Sequence, residues 1–586
     1  MAKQLQKLEL NWIGKGDEPQ LEPRILIEDP TKSFGDQKSE NMLIHGDNLL
    51  ALKALEQNFT GKIKCIYIDP PYNTGAAFEH YDDNLEHSTW LHLMFQRISI
   101  LHNLLAKDGF FCCHIDDSEG QYLKVMLDEI FGRKNYLTTF YVRVRYPDKT
   151  LKQDMAFHKE IEQIHIYRKE FGAKPNLNQS ELTFNKFNFF INELSNGQEI
   201  ELGGKKAFMF KKGEYEIEER PDGTEFGLKE IWATGSILDG NSSGRFFRDY
   251  LTGRYVADGL GVLYKVYGIG DDRYDYRYFT GPQRDGATKG KYFQGVPKDK
   301  LESEYTLVSS PINNFYDLAS SFGNCRTEGG VDFRSGKKPE KLLRLILNHF
   351  SNEGDWVLDS FLGSGSTAAV AHKMNRKWIG IELGEHAISH DIPRFQSVIN
   401  GKDLTGVTSE VEWKGGGGFK FYTLAPSLIL KDKYGTEIIN PEYNPTMLAA
   451  AMAKQEGFRY QPDENNYWKQ GVSSDKDFIF TTTQFITIAM LDKLAEELDI
   501  NESLLVCCKS FAKGCNSRHA NITIKKIPQM LLGRCEYGRD DYSFNIVNLP
   551  VEKDEEIEDY EYKENEVIKS KSKTKKKDDE NQSTLF

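Results

Sequence analysis

Cys65-Ile-Tyr-Ile-Asp-Pro-Pro-Tyr72 is the stretch on which the fold of this chain turns. Cys65 to Ile68 read as a short buried strand, and Asp69-Pro-Pro ends it, because proline has no N–H to give to a ladder. In an open α/β sheet, ligands bind beyond the carboxyl ends of the strands, which is where Asp69, Pro70, Pro71 and Tyr72 fall. Upstream, Met42-Leu-Ile-His45 is a second apolar strand, stopped by Gly46-Asp47-Asn48 and followed by a helix from Leu49 to about Gln57. Downstream, helical spacing covers Thr89 to Leu105, and Gly109-Phe-Phe-Cys-Cys-His-Ile115 is a third strand. Glu119 to Phe131 reads as a helix, with Asp117 or Ser118 as its cap. This alternation predicts a doubly wound α/β sheet.

From about Phe171 to Pro311 the pattern fades into Gly, Asn, Lys and aromatics, and an irregular inserted domain is expected. Regular patterning resumes with a helix from Pro339 to Phe350, strand Trp356-Val-Leu-Asp359, a helix from Thr367 to Met374 and strand Trp378-Ile-Gly-Ile381. The α/β domain is therefore split by an insertion. Gly415 to Gly418 marks a linker or tight bend. A smaller α+β domain follows, with strand Phe478-Ile-Phe-Thr481, a helix from Ala489 to Leu498 and a strand from Ser503 to Cys507. The expected divisions are an extension (1–40), a first α/β half (41–170), the insertion (171–315), a second α/β half (316–410), the α+β domain (411–550) and a charged, disordered tail (551–586).

A chain of 586 residues is too long for one compact core. No apolar run reaches the roughly 18 residues of a membrane span, and the N-terminus has no apolar core of a secretory signal. The 8 cysteines are sparse and partly adjacent, which fits a reducing cytoplasm. A net charge of −13 argues against non-specific coating of nucleic acid, yet leaves room for a local basic face. Cys507, Cys508, Cys515 and Cys535, with His519, match no standard zinc spacing, so no metal is expected.

Two motifs carry chemistry. An aromatic amino group is a poor nucleophile because its lone pair is delocalised into the ring. A site that accepts both its N–H bonds favours a pyramidal nitrogen. The Asp69 carboxylate can take one and the Pro70 carbonyl the other, with the prolines holding that carbonyl in place. Tyr72 offers a flat face on which a base drawn out of a duplex can stack. The bland alternative is a rigid turn that only terminates the strand. The second motif, Asp359-Ser-Phe-Leu-Gly-Ser-Gly-Ser-Thr367, joins a strand to a helix. Gly363 and Gly365 let the backbone approach a ligand, and the helix N-terminus favours a carboxylate. The lysine of a phosphate-binding loop is missing. Glu382, about 20 positions on, lies where an α/β cofactor site binds ribose hydroxyls. A dinucleotide-binding fold is the rival reading, which Asp-Pro-Pro-Tyr does not suit.

Asp-Pro-Pro-Tyr preceding Phe-x-Gly-x-Gly resembles the permuted, beta-class amino-methyltransferases of DNA. The longer run Ile66 to Gly75, His45-Gly-Asp-Asn48, Ile115-Asp-Asp117, His158-Lys-Glu160 and Gly415 to Tyr422 resemble the modification subunit of type III restriction–modification systems. The resemblance runs through most of residues 40–425. It implies S-adenosyl-L-methionine as cofactor and a Rossmann-like methyltransferase sheet with an inserted target-recognition domain. It assigns Asp69, Pro70, Pro71 and Tyr72 to catalysis, and Asp at position 69 implies N6 of adenine. Phe361, Gly363 and Gly365 would line the methionine part of the cofactor, Glu382 its ribose and Asp47 its adenine. Lys338, in the segment 333–339, would close over the methionine end. The resemblance also implies double-stranded DNA as substrate, a homodimer (the 411–550 domain serving dimerisation or a partner), a separate restriction helicase-nuclease subunit and a nucleoid-associated location. A solitary methyltransferase, a catalytically silent specificity subunit and an RNA methyltransferase remain open. Gln582-Ser-Thr-Leu-Phe586 resembles a short peptide that docks on the replication sliding clamp.

Overall fold

The computed structural model describes residues 9–72, 83–147, 157–181, 184–233, 242–270, 272–286, 289–301, 307–333 and 336–542. An 11-stranded sheet forms its centre. In chain order its strands are β1 (Leu26–Glu28), β2 (Phe34–Gly35), β3 (Met42–His45), β4 (Ile63–Ile68), β5 (Leu105–Ile115), β6 (Tyr136–Arg143), β7 (Ile161–Arg168), β8 (Phe315–Asp317), β9 (Trp356–Asp359), β10 (Lys377–Glu382) and β11 (Gly418–Leu424). Across the sheet they run β1-β11-β3-β10-β9-β4-β5-β7-β6-β8, and β2 pairs with β11 off that path. From β11 to β5 every pairing is parallel. β7 is antiparallel to both of its neighbours.

The helices α1 (Asn48–Phe59), α2 (Asp83–Leu104) and α3 (Gly120–Leu127) pack on one face, and α4 (Glu340–Phe350), α5 (Ser366–Lys373) and α6 (Ile392–Ile399) on the other. β4 shows why its run is continuously apolar. Ile66 and Ile68 enter the first core while Cys65 and Tyr67 enter the second, so both faces of the strand are buried. The two halves of the domain interleave, with β10 and β9 of the second half lying between β3 and β4 of the first. That order sets the carboxyl ends of all four strands side by side.

The expected α/β elements are present with shifted ends. The helix expected from Glu119 to Phe131 ends at Leu127 and continues as a wider π-type turn over Asp128–Gly132. Neither Asp117 nor Ser118 caps it. Asp116 Oδ1 accepts the Ser118 N–H at 2.9 Å, which closes a turn, and the helix starts from Glu119 without a side-chain cap. β1 and β2 come from the stretch expected as an extension, and β11 from beyond residue 410. The glycine run is the bend that delivers β11 to its place. Gly415, Gly416 and Gly417 have φ of 99°, 117° and 77°. At Gly418 a Cβ would lie 2.4 Å from the Asp36 nitrogen, so no side chain fits.

The insertion is more regular than its sequence. Gln198–Leu202, Lys205–Phe210, Leu263–Tyr267, Tyr276–Thr280, Gly290–Gln294 and Lys229–Ala233 form, in that order, a 6-stranded antiparallel sheet. Aromatics fill both of its faces. Tyr264 and Phe279 belong to one cluster, and Tyr278 and Phe293 to another, which erases the polar–apolar alternation. Farther on, Arg459–Tyr460, Gly471–Ser474, Asp477–Ile486, Ser503–Phe511 and Ile522–Lys526 make a 5-stranded sheet, with the helix Ile488–Glu497 between its long strands. Cys507 and Cys508 are buried in that sheet, and His519 pairs with Asp492 at 2.7 Å. The expected disordered tail and Gln582–Phe586 lie outside the described residues. Among the described residues no helix is long and apolar enough to cross a membrane.

Candidate active site

Beyond the carboxyl ends of β4, β9 and β10 lies a cavity of about 430 Å³. Asp69, Pro70, Pro71 and Tyr72 line it from one half of the domain, and Phe361, Gly363 and Glu382 from the other. Gly336 and Lys338 line it as well.

At the tetrapeptide, Trp90 Nε1 donates to the Pro71 carbonyl at 2.8 Å, which pins the turn to α2. The Pro70 carbonyl accepts no hydrogen bond among the described residues. The Tyr72 hydroxyl donates to Asp69 Oδ1 at 2.8 Å, and Lys338 Nζ lies 2.8 Å from Asp69 Oδ2. Burial works to lower the Lys338 pKa, but Asp69 and Glu162 outweigh it and hold the group above its ordinary value. Burial, Asp69 and Glu162 push the Tyr72 hydroxyl well above its usual range, so it stays a donor. Glu162, on β7, completes this cluster: His114 Nε2 stands 2.8 Å from its Oε2 and Tyr72 Oη 3.2 Å. Burial works to raise the Glu162 pKa. Lys338 and His114 overcome it and bring the carboxyl to about 2.

At the glycine turn, Gly363 and Gly365 have φ of 60° and 72°, in the left-handed region that favours glycine. Gly363 lines the cavity, and its N–H is held at 2.8 Å by Glu382 Oε2. Glu382 Oε1 takes the Gly384 N–H at 2.8 Å and lies 3.0 Å from His386 Nε2. Gly365 stands behind the wall. A Cβ there would lie 2.9 Å from both Asp391 Oδ1 and Phe395, so its work is to close the turn against α6. A buried network braces the same turn: Arg394 Nη1 donates to the Ser364 carbonyl at 2.7 Å, and Arg394 Nη2 pairs with Glu340 at 2.8 Å.

Asp47 is placed elsewhere. Its Oδ1 caps α1 by accepting the Leu50 N–H at 3.0 Å, and its Oδ2 takes the Tyr542 N–H at 3.0 Å. The side chain is buried and does not line the cavity, and both its oxygens are committed to backbone N–H groups where the resemblance implies a contact with a ligand's adenine. Its neighbour Asn48 does line the cavity and donates to the Ser360 carbonyl at 2.8 Å. Lys338 is buried against Asp69, and Lys337, also buried, donates to the Arg326 and Val331 carbonyls at 3.2 and 3.0 Å. Glu162, His114 and Tyr67 were not singled out by the sequence. The available signal was a charged residue beside the apolar run of Ile161-Glu-Gln-Ile-His-Ile-Tyr-Arg168.

Residues 63–391 match the family model described as DNA methylase, of the N6/N4 kind. The Haemophilus influenzae protein named Probable type III restriction-modification enzyme HindVI Mod subunit is 32% identical over 419 residues, covering 66% of this chain and 54% of that protein. The EcoPI Mod subunit of a type III enzyme from Escherichia phage P1 is 25% identical over 422 residues, covering 63% of this chain and 61% of its own. The chain thus spans a little over half the length of these relatives. Among solved structures, the cytosine-N4-specific PvuII DNA methyltransferase covers 61% of this chain and 87% of its own, at a TM-score of 0.32 and 14% identity. The matched span takes in both the Asp-Pro-Pro-Tyr turn and the glycine turn with Glu382 and makes up more than half of the chain, and the protein belongs to the DNA methylase family.

Proposed function

We propose that the chain is a site-specific DNA methyltransferase that transfers the methyl group of S-adenosyl-L-methionine to the N6 amino group of adenine in duplex DNA. We further propose that it serves as the modification subunit of a type III restriction–modification system. The observation that carries the first reading is one cavity joining Asp69, Pro70 and Tyr72 to Gly363 and Glu382. Similarity to two Mod subunits supports the second.

The cavity fits such a cofactor. Its volume of about 430 Å³ is that of a small-molecule site. The left-handed Gly363 presents backbone without a Cβ, and at this position a Cβ would meet nothing closer than 3.9 Å. The N-terminus of α5 behind the turn suits a carboxylate. Glu382 would hold the ribose hydroxyls, Phe361 and Gly363 the methionine part. When bound, S-adenosyl-L-methionine supplies an electrophilic methyl group on a positively charged sulfur.

The protein's part is positioning and electrostatics. Adenine is turned out of the duplex and stacks on Tyr72. The Pro70 carbonyl and the Asp69 carboxylate accept its two N–H bonds and make the nitrogen lone pair available. Formation of the N–C bond breaks the methyl–sulfur bond and leaves a neutral thioether, so the positive charge passes to that nitrogen, where Asp69 would stabilise it until the proton passes to solvent. The insertion reads the target sequence, the chain works as a homodimer, and cleavage is left to a separate helicase-nuclease subunit.

Purified chain, radiolabelled S-adenosyl-L-methionine and duplex DNA test this reading. Hydrolysed product should carry the label as N6-methyladenine, at a rate unchanged by EDTA because the transfer needs no metal. Label on N4 of cytosine, or none with several unrelated duplexes, contradicts the assignment. Loss of rate with EDTA contradicts the metal-free reading.

A further inference from the structure

Both oxygens of Asp69 are engaged, one by the Tyr72 hydroxyl and the other by Lys338, each at 2.8 Å. Lys338 Nζ also stands over the Tyr72 ring, 5.0 Å from its centroid. A base held by Asp69 and stacked on that ring face needs the space that Lys338 Nζ now occupies, and it competes with both donors for the Asp69 oxygens. The two donors share one second acceptor. Glu162 Oε2 lies 3.2 Å from Tyr72 Oη and 3.7 Å from Lys338 Nζ. Glu162 is itself anchored from behind, since His114 Nε2 stands 2.8 Å from it and His114 Nδ1 lies 2.8 Å from the Tyr67 hydroxyl. His114 and Tyr67 are both fully buried behind Glu162.

Resting on the adenine methyltransferase reading above, we infer that Glu162 is a positioning residue: the alternate acceptor that takes Lys338 and the Tyr72 hydroxyl off Asp69 when the target amino group arrives. Lys338 has only to close its 3.7 Å separation from Glu162 to the 2.8 Å it now keeps with Asp69. Its flexible stem allows that movement without displacing the backbone. The ammonium stays between the same two carboxylates before and after, so the exchange leaves the net charge of the pocket unchanged. In the absence of substrate, Lys338 balances the charge of the half-buried Asp69 carboxylate, whose other oxygen has only the neutral Tyr72 hydroxyl. Asp69 is therefore stabilised when the pocket is idle and available when it is used.

Steady-state adenine methylation by the wild type, E162Q, K338M and the double variant tests this, together with binding of S-adenosylhomocysteine. E162Q should lower kcat about tenfold or more, with KM for DNA and affinity for S-adenosylhomocysteine within about twofold of the wild type. On the K338M background the same substitution should cost much less, because the main donor to be moved is gone. A residue that merely supports the fold would lower binding and turnover together and by the same factor on both backgrounds. That result, or an E162Q kcat within about twofold of the wild type, overturns the inference. If E162Q does not fold, Glu162→Asp takes its place, keeping the charge with a shorter reach. Its kcat should fall at constant KM, and an unchanged kcat overturns the proposal. Wild-type enzyme that labels no adenine fails the underlying reading, whereas labelling with an indifferent E162Q fails this inference alone.

Discussion

Asp359, which lines the cavity, and Glu162, which stands against the lining residues Tyr72 and Lys338, are carboxyl groups driven in opposite directions. Burial lifts Asp359 to about 7, with repulsion from Asp69 and Glu382 added, against hydrogen bonds from Thr367 and the Phe361 N–H. Glu162 is held to about 2 against its own burial by Lys338 and His114. For Asp359 the unfolded value is the ordinary 3.8, so between 3.8 and about 7 the unfolded chain binds fewer protons than the folded one. Stability therefore falls as pH rises through that window and levels off above it. Asp359→Asn keeps an oxygen for the Phe361 N–H and removes the titration. Its melting temperature should drop less than that of the wild type between roughly pH 5 and pH 8, and equal drops would refute the assignment. Asp69→Ala should lower kcat roughly 10²-fold or more while calorimetry shows S-adenosylhomocysteine affinity little changed. Residues that meet through short local motifs were legible in the sequence, as Asp69, Tyr72, Gly363 and Glu382 show. Asp47 shows the limit of such motifs, since an aspartate before a helix reads alike as a ligand contact and as a cap, and its carboxylate makes the cap. Glu162 was missed because its partners Tyr72 and Lys338 are brought to it only by the order of strands in the sheet.

At the scale of elements, the glycine turn makes the sharpest distinction. Gly363 and Gly365 both have positive φ, yet only Gly365 is also closed in, by Asp391 and Phe395 at 2.9 Å. Gly365→Ala should destabilise the protein by roughly 2 kcal/mol or more, through backbone strain and overlap together. Gly363→Ala should cost roughly 1 kcal/mol, from backbone conformation alone, and should act mainly by crowding the cavity. Urea unfolding of the two variants checks the order, and a larger loss at Gly363 would contradict the packing described. The parallel strands were legible for a related reason: a strand buried on both faces writes a continuous apolar run, as Cys65 to Ile68 does. The strands of the insertion are also packed on both faces, but with Tyr, Phe, Arg and Lys mixed, so Tyr276-Arg-Tyr-Phe-Thr280 gives neither an apolar run nor an alternation.

Across the whole molecule, the far end of the described chain returns to the back of one wall of the cavity. Tyr542 is buried, its N–H held by Asp47 and its carbonyl taking Arg97 Nη2 at 3.3 Å. Arg97 and Asn48 line the cavity. Nearby, the Gly538 N–H reaches Ser427 Oγ at 2.7 Å and Arg24 donates to the Arg539 carbonyl at 2.8 Å. A chain ending at residue 542 is the reference. Removal from residue 536 onward should weaken S-adenosylhomocysteine affinity about tenfold, as Asp47 and Arg97 lose a shared partner. Equal affinities for the two truncations would show that this strap does not support the cavity. No sequence pattern announced it, because a contact between positions 47 and 542 leaves no local periodicity. The proposed chemistry requires the Asp69 carboxylate for methyl transfer to adenine. Methylation-sensitive long-read sequencing of DNA from cells expressing the wild-type chain, beside cells expressing Asp69→Ala, tests it most directly. N6-methyladenine at one short sequence motif, absent with the variant, is the expected result. Methyladenine at the same motif with Asp69→Ala, or a methylated cytosine in its place, would contradict the account.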